Sequence, residues 1–345
     1  MKILVTGACG VTSRSVTRGL RRDCSAKLEI IGAGIFENQY ALYEGIYDKT
    51  AILPTYKSPE YSDRLNDLLE KENFDAALII PEPEVAVWAK EKFNVPNLIP
   101  NSCIISNLSD KRILNLLLNH TQNVPKSKFI SKEDAHDAME SWNIYPCWVR
   151  PVYFGVTSGR GAAKCSNKEM VLRHVDESMY SSVWQISEFV SGRNIAVSLL
   201  YNNSELIDAA MYERLEYFQG SLFESGVSGN ISKGKIFHDN NILEQITSLI
   251  KTVIAKLQTK VDGFITVDLL LDDDQIAKVT EVNVRPTAPV EAYSLANIPI
   301  IGNWLEQILS SDLTTAMPDR KIPSYIFRDI DGQILVKEAH DLQID

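Results

Sequence analysis

The stretch GFITVDLLLDDDQIAKVTEVNVRP, Gly263 to Pro286, constrains the backbone more than any other part of the chain. Two apolar strand-like runs, FITVDLLL and IAKVTEVNV, flank the acidic turn Asp272-Asp273-Asp274-Gln275, the pattern of a hairpin. Side chains alternate along a strand, so Glu281, Asn283 and Arg285 share one face, while Val279, Val282 and Val284 help fill apolar space. Pairing brings Asp268 on the first strand beside Glu281. Two carboxylates, an amide oxygen and a guanidinium then meet on one patch. Hard oxygen donors of this kind suit Mg²⁺ (or Mn²⁺), and the planar fork of Arg285 suits phosphate or carboxylate oxygens. A solvated salt bridge on a sheet face is the plainer alternative. The order Asp, then Glu-x-Asn-x-Arg-Pro, favours the metal and phosphate reading.

The rest of the composition narrows the class. At 345 residues the chain has room for about two or three domains with a buried core. A net charge of −10 argues against a general nucleic-acid or anionic-membrane surface, although a few local cations suffice for a nucleotide. The five cysteines are scattered and lack CxxC spacing, which predicts reduced thiols and a cytoplasmic protein. Met1-Lys2 leads straight into a strand pattern, so no signal peptide is expected, and no apolar run reaches transmembrane length.

Strand and helix patterns alternate at the start: KILV, a glycine turn and a helix, then LEIIGAGI, then DAALIIPE at 75–82 followed by VAVWAKEKF. That alternation predicts a parallel sheet in an α/β domain. The turn Gly7-Ala8-Cys9-Gly10 is not GxGxxG and by itself shows only a tight turn before a helix. A linker at 97–112 precedes the helix KRILNLLLNH, with Ser109 or Asp110 as its N-cap. Strands follow at KSKFI, YPCWVRPVYF, VWQISEF and NIAVSLLYNNSELIDAAMYE, the last folding back at Asn202-Asn203. Gly220–Gly234 reads as a polar loop, and NILEQITSLIKTVIAKLQ as an amphipathic helix. SYIFRDIDGQILVKE reads as a hairpin turning at Asp331-Gly332.

These motifs, in this order, resemble the ATP-grasp superfamily, with features of carbamoyl-phosphate synthetase large chains and carboxylate–amine ligases. The usual hairpin ends Glu-x-Asn-Pro-Arg; here Val284 stands in the place of that proline and Pro286 follows the arginine. The resemblance implies ATP and Mg²⁺ (or Mn²⁺) as cofactors, with Asp268, Glu281 and Asn283 as metal ligands and Arg285 and Arg150 as catalytic residues. It gives Lys111, Arg150 and the glycine-rich lid loop Ser158, Gly159, Arg160 and Gly161 to the phosphates. Glu188, Phe189 and Val190 take the hinge beside the adenine. Asn194 replaces the acidic residue that normally binds the ribose. Arg214, Gly226, Ser228 and Arg285 face the substrate, and Leu295–Pro299 forms a wall.

The implied fold is α/β and α+β: a parallel-sheet domain over 1–105, a two-lobed ATP-grasp domain over 106–315 with its lid at about 122–188, and a hairpin tail at 316–345 packed on the core. The implied activity joins a small-molecule carboxylate to an amine through an acyl phosphate, without nucleic acid or membrane, and a homodimer is compatible with it. Two alternatives stand beside it: carboxyphosphate or carbamate phosphorylation, and a nucleotide-binding regulatory protein without turnover. The turn at 7–13 is expected to border the substrate cleft and offer its helix N-terminus, with Thr6, Thr12 and Ser13, to an anion.

Overall fold

The computed structural model describes residues 1–152, 159, 161–179, 181–222, 225–310, 323–328 and 335–338. Near the N-terminus β1 (Lys2–Val5), β2 (Glu29–Ile35), β3 (Lys49–Leu53) and β4 (Ala76–Leu78) form a parallel sheet in the order β3-β2-β1-β4. The helices α1 (Val11–Asp23), α2 (Tyr61–Glu72) and α3 (Glu82–Glu91) alternate with these strands. β4 is shorter than the run DAALIIPE suggests. The chain leaves the sheet after Leu78, and Pro81 in extended conformation caps α3, whose opening turn carries a second proline where no backbone donor is needed.

Two short helices, α4 (Ser102–Leu108) and α5 (Lys111–Leu118), follow. Asp110 caps α5 by accepting from the Arg112 N–H at 2.8 Å. A second sheet then forms in the antiparallel order β5-β8-β6-β7, from β5 (Ser127–Ser131), β6 (Cys147–Pro151), β7 (Ala163–Cys165) and β8 (Val183–Glu188). The helices α6 (Ala135–Glu140) and α7 (Lys168–Glu177) pack with it.

Among the described residues the third sheet has seven strands. Its strands are β9 (Arg193–Asn202), β10 (Glu205–Tyr217), β11 (Ile231–Phe237), β12 (Gly263–Leu271), β13 (Ala277–Asn283), β14 (Ser324–Phe327) and β15 (Leu335–Glu338), in the order β13-β12-β9-β10-β11-β14-β15. β11 begins inside the stretch read as a loop, because Ile231 and Ile236 find buried places against the neighbouring strands. β14 and β15 pair with each other and extend this sheet through β11; the expected turn at Asp331-Gly332 lies outside the described residues. α8 (Asn240–Leu257) buries Ile242, Ile246, Leu249, Ile250 and Val253, one stripe at helical spacing. α9 (Glu291–Leu295) and α10 (Ile300–Leu309) lie beside α1.

Burial divides the molecule unequally. Leu4 and Ile31 of the N-terminal sheet, with Leu65 of α2 and Trp88 of α3, share one apolar cluster with Val197 and Val267 of the seven-stranded sheet and Ile246 of α8. Ile3, Val16 and Leu20 share another with Phe264, Tyr293 and Trp304. The second sheet closes on a cluster of its own: Ile130, Met139, Val149, Val171, Trp184 and Ile186. All five cysteines are free thiols. No helix among the described residues is long and apolar enough to cross a membrane.

Candidate active site

The hairpin forms as its sequence predicts, with one irregularity that decides the site. Asp268 stands opposite Glu281, but the next pair is Leu269 with Val279, so Thr280 is an extra residue, a β-bulge. Strict alternation would put Val279 on the same face as Glu281. The bulge reverses that parity: Val279 and Val282 turn into the core, and Glu281 stays with Asp268. Being unpaired in the ladder, the Thr280 carbonyl is available to another element. Arg150 on β6 donates to it from Nη2 at 2.7 Å. β13 ends at Asn283, so Arg285 lies in the bend beyond the strand. Pro286 explains this, since it removes a ladder donor and restricts the residue before it. The Thr266 hydroxyl holds the Arg285 carbonyl at 2.9 Å.

A cavity of about 800 Å³ opens between the second and third sheets. Lys111, Arg150, Glu188, Phe189, Val190, Asn194, Arg214, Ser228, Asp268, Glu281, Asn283 and Arg285 all line it, as does Gly159. Gly161 does not: its carbonyl accepts from His174 Nε2 at 2.8 Å, within the second sheet's own lobe. Gly226 and the segment Leu295–Pro299 are also outside the wall; Ile298 is buried in the core instead, while Thr287, Ala288 and Pro289 supply the lining there. Ser158 and Arg160 lie outside the described residues.

The charges on the wall are interlocked. Lys111 Nζ is 3.3 Å from Glu281 Oε2. Burial pushes the Glu281 carboxyl up, but Lys111, Arg150 and Arg285 outweigh it and hold the group below its usual range. Arg150 is oriented by Gln185, whose Oε1 accepts from Nε at 2.7 Å, and Gln185 in turn donates to the Ser127 hydroxyl. Arg285 Nε is 3.7 Å from Glu82 Oε2 at the start of α3. Burial lifts the Glu82 carboxyl, with Arg285 opposing. Neither Glu82 nor Gln185 stood out in the sequence. Gln185 is the cross-strand partner of Arg150 in the β6–β8 pair, a register no local pattern gives, and Glu82 comes from α3 of the N-terminal domain.

The expected ribose residue Asn194 and the expected substrate residues Arg214 and Ser228 also bond within the protein. Arg214 Nη2 donates to Asp268 Oδ1 at 2.5 Å and Nη1 to Asn194 Oδ1 at 2.8 Å. Burial would lower its basicity, but Asp268 more than compensates and raises it well above the ordinary value. Asn194 also donates to the Tyr217 hydroxyl at 2.8 Å, so both ends of its amide are engaged within the protein. Ser228 lines the cavity, yet its hydroxyl is spent on the Phe218 and Asn230 carbonyls. In the N-terminal turn the Ser13 hydroxyl donates to the Thr6 carbonyl, and the Thr6 hydroxyl accepts from Ile80; both residues are buried. Only Val11 and Thr12 of this turn reach the cavity. Gly7, at φ +60°, is required here, since a Cβ would sit 2.2 Å from Pro81 Cγ.

The hinge passes from β8 in one sheet to β9 in the next. The Glu188 N–H donates to the Lys126 carbonyl and its carboxylate accepts from the Lys126 N–H. The Phe189 N–H donates to the Pro146 carbonyl at 3.2 Å. Lys164 lies 3.7 Å from the Phe189 ring centroid, and Trp148 tilts against the same ring. Gly192 has φ +148°, and a Cβ there would meet the Leu271 carbonyl oxygen at 2.0 Å.

The donor set can be tested against Mg²⁺. Two carboxylates in cross-strand register and an adjacent amide are hard oxygen donors and fit the ion chemically. Among the described residues no group of three or more His, Cys, Asp or Glu could hold a metal, so any such site rests on two carboxylates, the Asn283 amide, water and substrate oxygens.

Cations facing oxygen donors across one cavity suit a protein that handles phosphate groups. The ATP-grasp domain family matches residues 108–289, more than half of the chain's 345 residues, and the chain belongs to that family. The fold agrees. L-amino acid ligase from Bacillus licheniformis is 15% identical, with 94% of this chain and 79% of that one covered at a TM-score of 0.68. Phosphoribosylamine–glycine ligase from Thermotoga maritima is 13% identical, with 95% and 80% covered at 0.68. N5-carboxyaminoimidazole synthetase from Staphylococcus aureus, solved with ADP, is 14% identical, with 94% and 81% covered at 0.68. No curated protein sequence matches the chain. Family and fold together support the expectation of an ATP-dependent ligase.

Proposed function

We propose that the protein is an ATP-dependent carboxylate–amine ligase. The observation that carries this reading is the convergence of Lys111, Arg150, Arg285, Asp268, Glu281 and Asn283 on one cavity between two sheets. A substrate carboxylate attacks the γ-phosphate of ATP, the bond to the bridging oxygen breaks, and its electron pair leaves on ADP. The amine then attacks the acyl carbon and expels phosphate. Two anions must approach each other in the first step, so positioning and charge neutralisation are the protein's main tasks. Lys111, Arg150 and the lid loop, with Ser158, Gly159 and Arg160 as expected from the sequence, take the phosphates. Asp268, Glu281 and Asn283 would hold Mg²⁺ (or Mn²⁺), which supplies charge neutralisation across the phosphate oxygens.

Arg285 stabilises the transferred phosphoryl group or the acceptor carboxylate, and Glu82 holds its guanidinium from behind at 3.7 Å. Val190, on the hinge and in the cavity wall, has no backbone hydrogen-bond partner among the described residues, which leaves its N–H and C=O for an adenine edge. The engaged amide of Asn194 gives the ribose a weaker anchor than a free carboxylate would. Closure of the lobe at 122–188 over the cavity excludes water from the acyl phosphate. The domain limits 1–105, 106–315 and 316–345 belong to this proposal, as do a cytoplasmic location and small-molecule partners. The test is a screen of amino acids, amino sugars and small carboxylates for Mg²⁺-dependent release of ADP and phosphate. Release that requires both a carboxylate and an amine supports ligation. ATP binding with no release across the panel would favour a regulatory binder instead.

A further inference from the structure

Both carboxylates proposed to hold the metal are engaged by cations of the chain itself. Lys111 Nζ stands 3.3 Å from Glu281 Oε2, and Arg214 Nη2 donates to Asp268 Oδ1 at 2.5 Å. Asn283 turns its Nδ2 toward Asp268 Oδ2, 3.4 Å away, whereas a metal takes the amide oxygen. The three proposed donors are thus satisfied from within the protein.

Of the two cations, Arg214 has the fewer alternatives. It stands on β10 and reaches across β9 to Asp268 on β12. The β9 residue level with Asp268 is Ala196, whose side chain is a single methyl group. The nearer carboxylates are taken: Arg193 holds Glu213 at 2.9 Å, and Lys233 holds Glu216 at 2.6 Å. Among the described residues Asp268 is the one carboxylate paired with Arg214. The Arg214 side chain is 12% exposed, so an unpaired guanidinium there is costly. Yet it lines the cavity, with Asn194 accepting from Nη1 at 2.8 Å and the Tyr212 ring centroid 5.4 Å away. A divalent ion on Asp268 could share its carboxylate with Arg214 only against the repulsion between two cations. Once Asp268 is lost to it, the remaining partner for Arg214 is an anion in the cavity.

We infer that Arg214 and the metal exchange at Asp268: metal binding releases the guanidinium to the carboxylate of the substrate, so that metal and carboxylate bind cooperatively. This rests on the ligase reading of the same site. By linkage the carboxylate tightens the metal by the same factor as the metal tightens the carboxylate. Arg214 then draws the acid into the cavity when the ion that neutralises the phosphates is in place, and is held back by Asp268 when it is not.

The test separates metal binding from turnover. Mn²⁺ is titrated without nucleotide into wild type, Arg214→Gln and Asp268→Asn, with the free ion read by electron paramagnetic resonance and the fold by circular dichroism. With its rival removed, Asp268 in Arg214→Gln should bind Mn²⁺ roughly ten- to a hundredfold tighter, the value of charged hydrogen bonds. Asp268→Asn should bind it more weakly than wild type. In turnover Arg214→Gln should raise KM for the carboxylate and lower the Mg²⁺ concentration that gives half the maximal rate. The wild-type chain supplies a readout that needs no variant. Modification by p-hydroxyphenylglyoxal, mapped by peptide mass spectrometry, should quicken at Arg214 when Mn²⁺ is added and stay constant at Arg193, whose partner Glu213 is not a proposed metal donor. Mn²⁺ binding that is unchanged or weaker in a folded Arg214→Gln, or an Arg214 modification rate indifferent to Mn²⁺, would overturn the exchange. The ligase reading fails separately. A substrate panel without ADP release removes that reading and leaves the Mn²⁺ results standing, while ADP release with Mn²⁺ binding indifferent to Arg214 removes the exchange alone.

Discussion

The lobe at 127–188 and the remainder of the protein are built on different terms. The lobe packs Val149, Val171, Trp184 and Ile186 into a cluster of their own. The N-terminal sheet has no such independence: each face shares apolar clusters with the seven-stranded sheet. The lobe can therefore change its angle without exposing a core, whereas the N-terminal sheet cannot leave the seven-stranded one without opening both clusters. The functional groups follow the same division. The proposed oxygen donors Asp268, Glu281 and Asn283 stand on the seven-stranded sheet, while Arg150 belongs to the lobe and donates a hydrogen bond to the Thr280 carbonyl.

The strongest way to break this division is at Glu281. Glu281→Gln should slow ADP release by roughly a hundred- to a thousandfold, ~3–4 kcal/mol of barrier, while circular dichroism shows the fold retained at the assay temperature. A variant with near-wild-type turnover would show that the body does not carry the chemistry.

Glu84 probes the body's stability. It is buried beside Thr6 and Tyr61, one oxygen lacks a partner among the described residues, and burial lifts its carboxyl from 4.5 to about 7. The folded state thus holds this proton more tightly than the unfolded chain does. Its contribution is full below pH 4.5, and is lost as pH rises through about 7. The loss amounts to ~3 kcal/mol. Denaturant unfolding of Glu84→Gln between pH 4 and pH 8 should give a flatter stability profile than wild type. Parallel profiles would mean that Glu84 is already ionised in the fold.

A smaller effect is expected where the two regions join. Gly192→Ala places a Cβ against the Leu271 carbonyl at a φ of +148°. The strain should cost ~2–3 kcal/mol and, by tilting the lobe, raise KM for ATP. Thermal unfolding and ATP titration read both, and an unchanged KM would detach the hinge from closure. Smallest of all, Ile186→Val should cost ~1 kcal/mol. Amide exchange should then quicken over 127–188 and leave β9, β12 and β13 as they were. Equal acceleration in both regions would show that the lobe is not an independent unit.

What could be read in the sequence follows from how far each signal reaches along the chain. The turn at 272–275, the pairing of Asp268 with Glu281 and the Asp110 cap all depend on near neighbours, and each appears as read. β4 stops at Leu78, four residues short of the run 75–82, because Pro81 and the start of α3 overrule an apolar run. Arg214 and Asn194 line the cavity as expected, and the sequence does not show that they also bond Asp268, Tyr217 and each other. Their partners lie on adjacent strands whose register no local pattern specifies. Glu82 is further still, since its contact with Arg285 depends on how two sheets dock. The periodicity of β13 also hid its bulge, because an extra residue is invisible until both strands are aligned.

That bulge has a genetic consequence. Losing the single codon for Thr280 would leave Leu269 facing Val279 and Asp268 facing Glu281, now in unbroken alternation. The strand would survive, its inward valines would survive, and so would its acidic pair. What would vanish is the carbonyl that Arg150 grips from the opposite lobe. One inserted residue is thus enough to add a tether between two bodies without rewriting either, and a gap of one position at 280 in a relative would mark a chain whose lid arginine must find another hold.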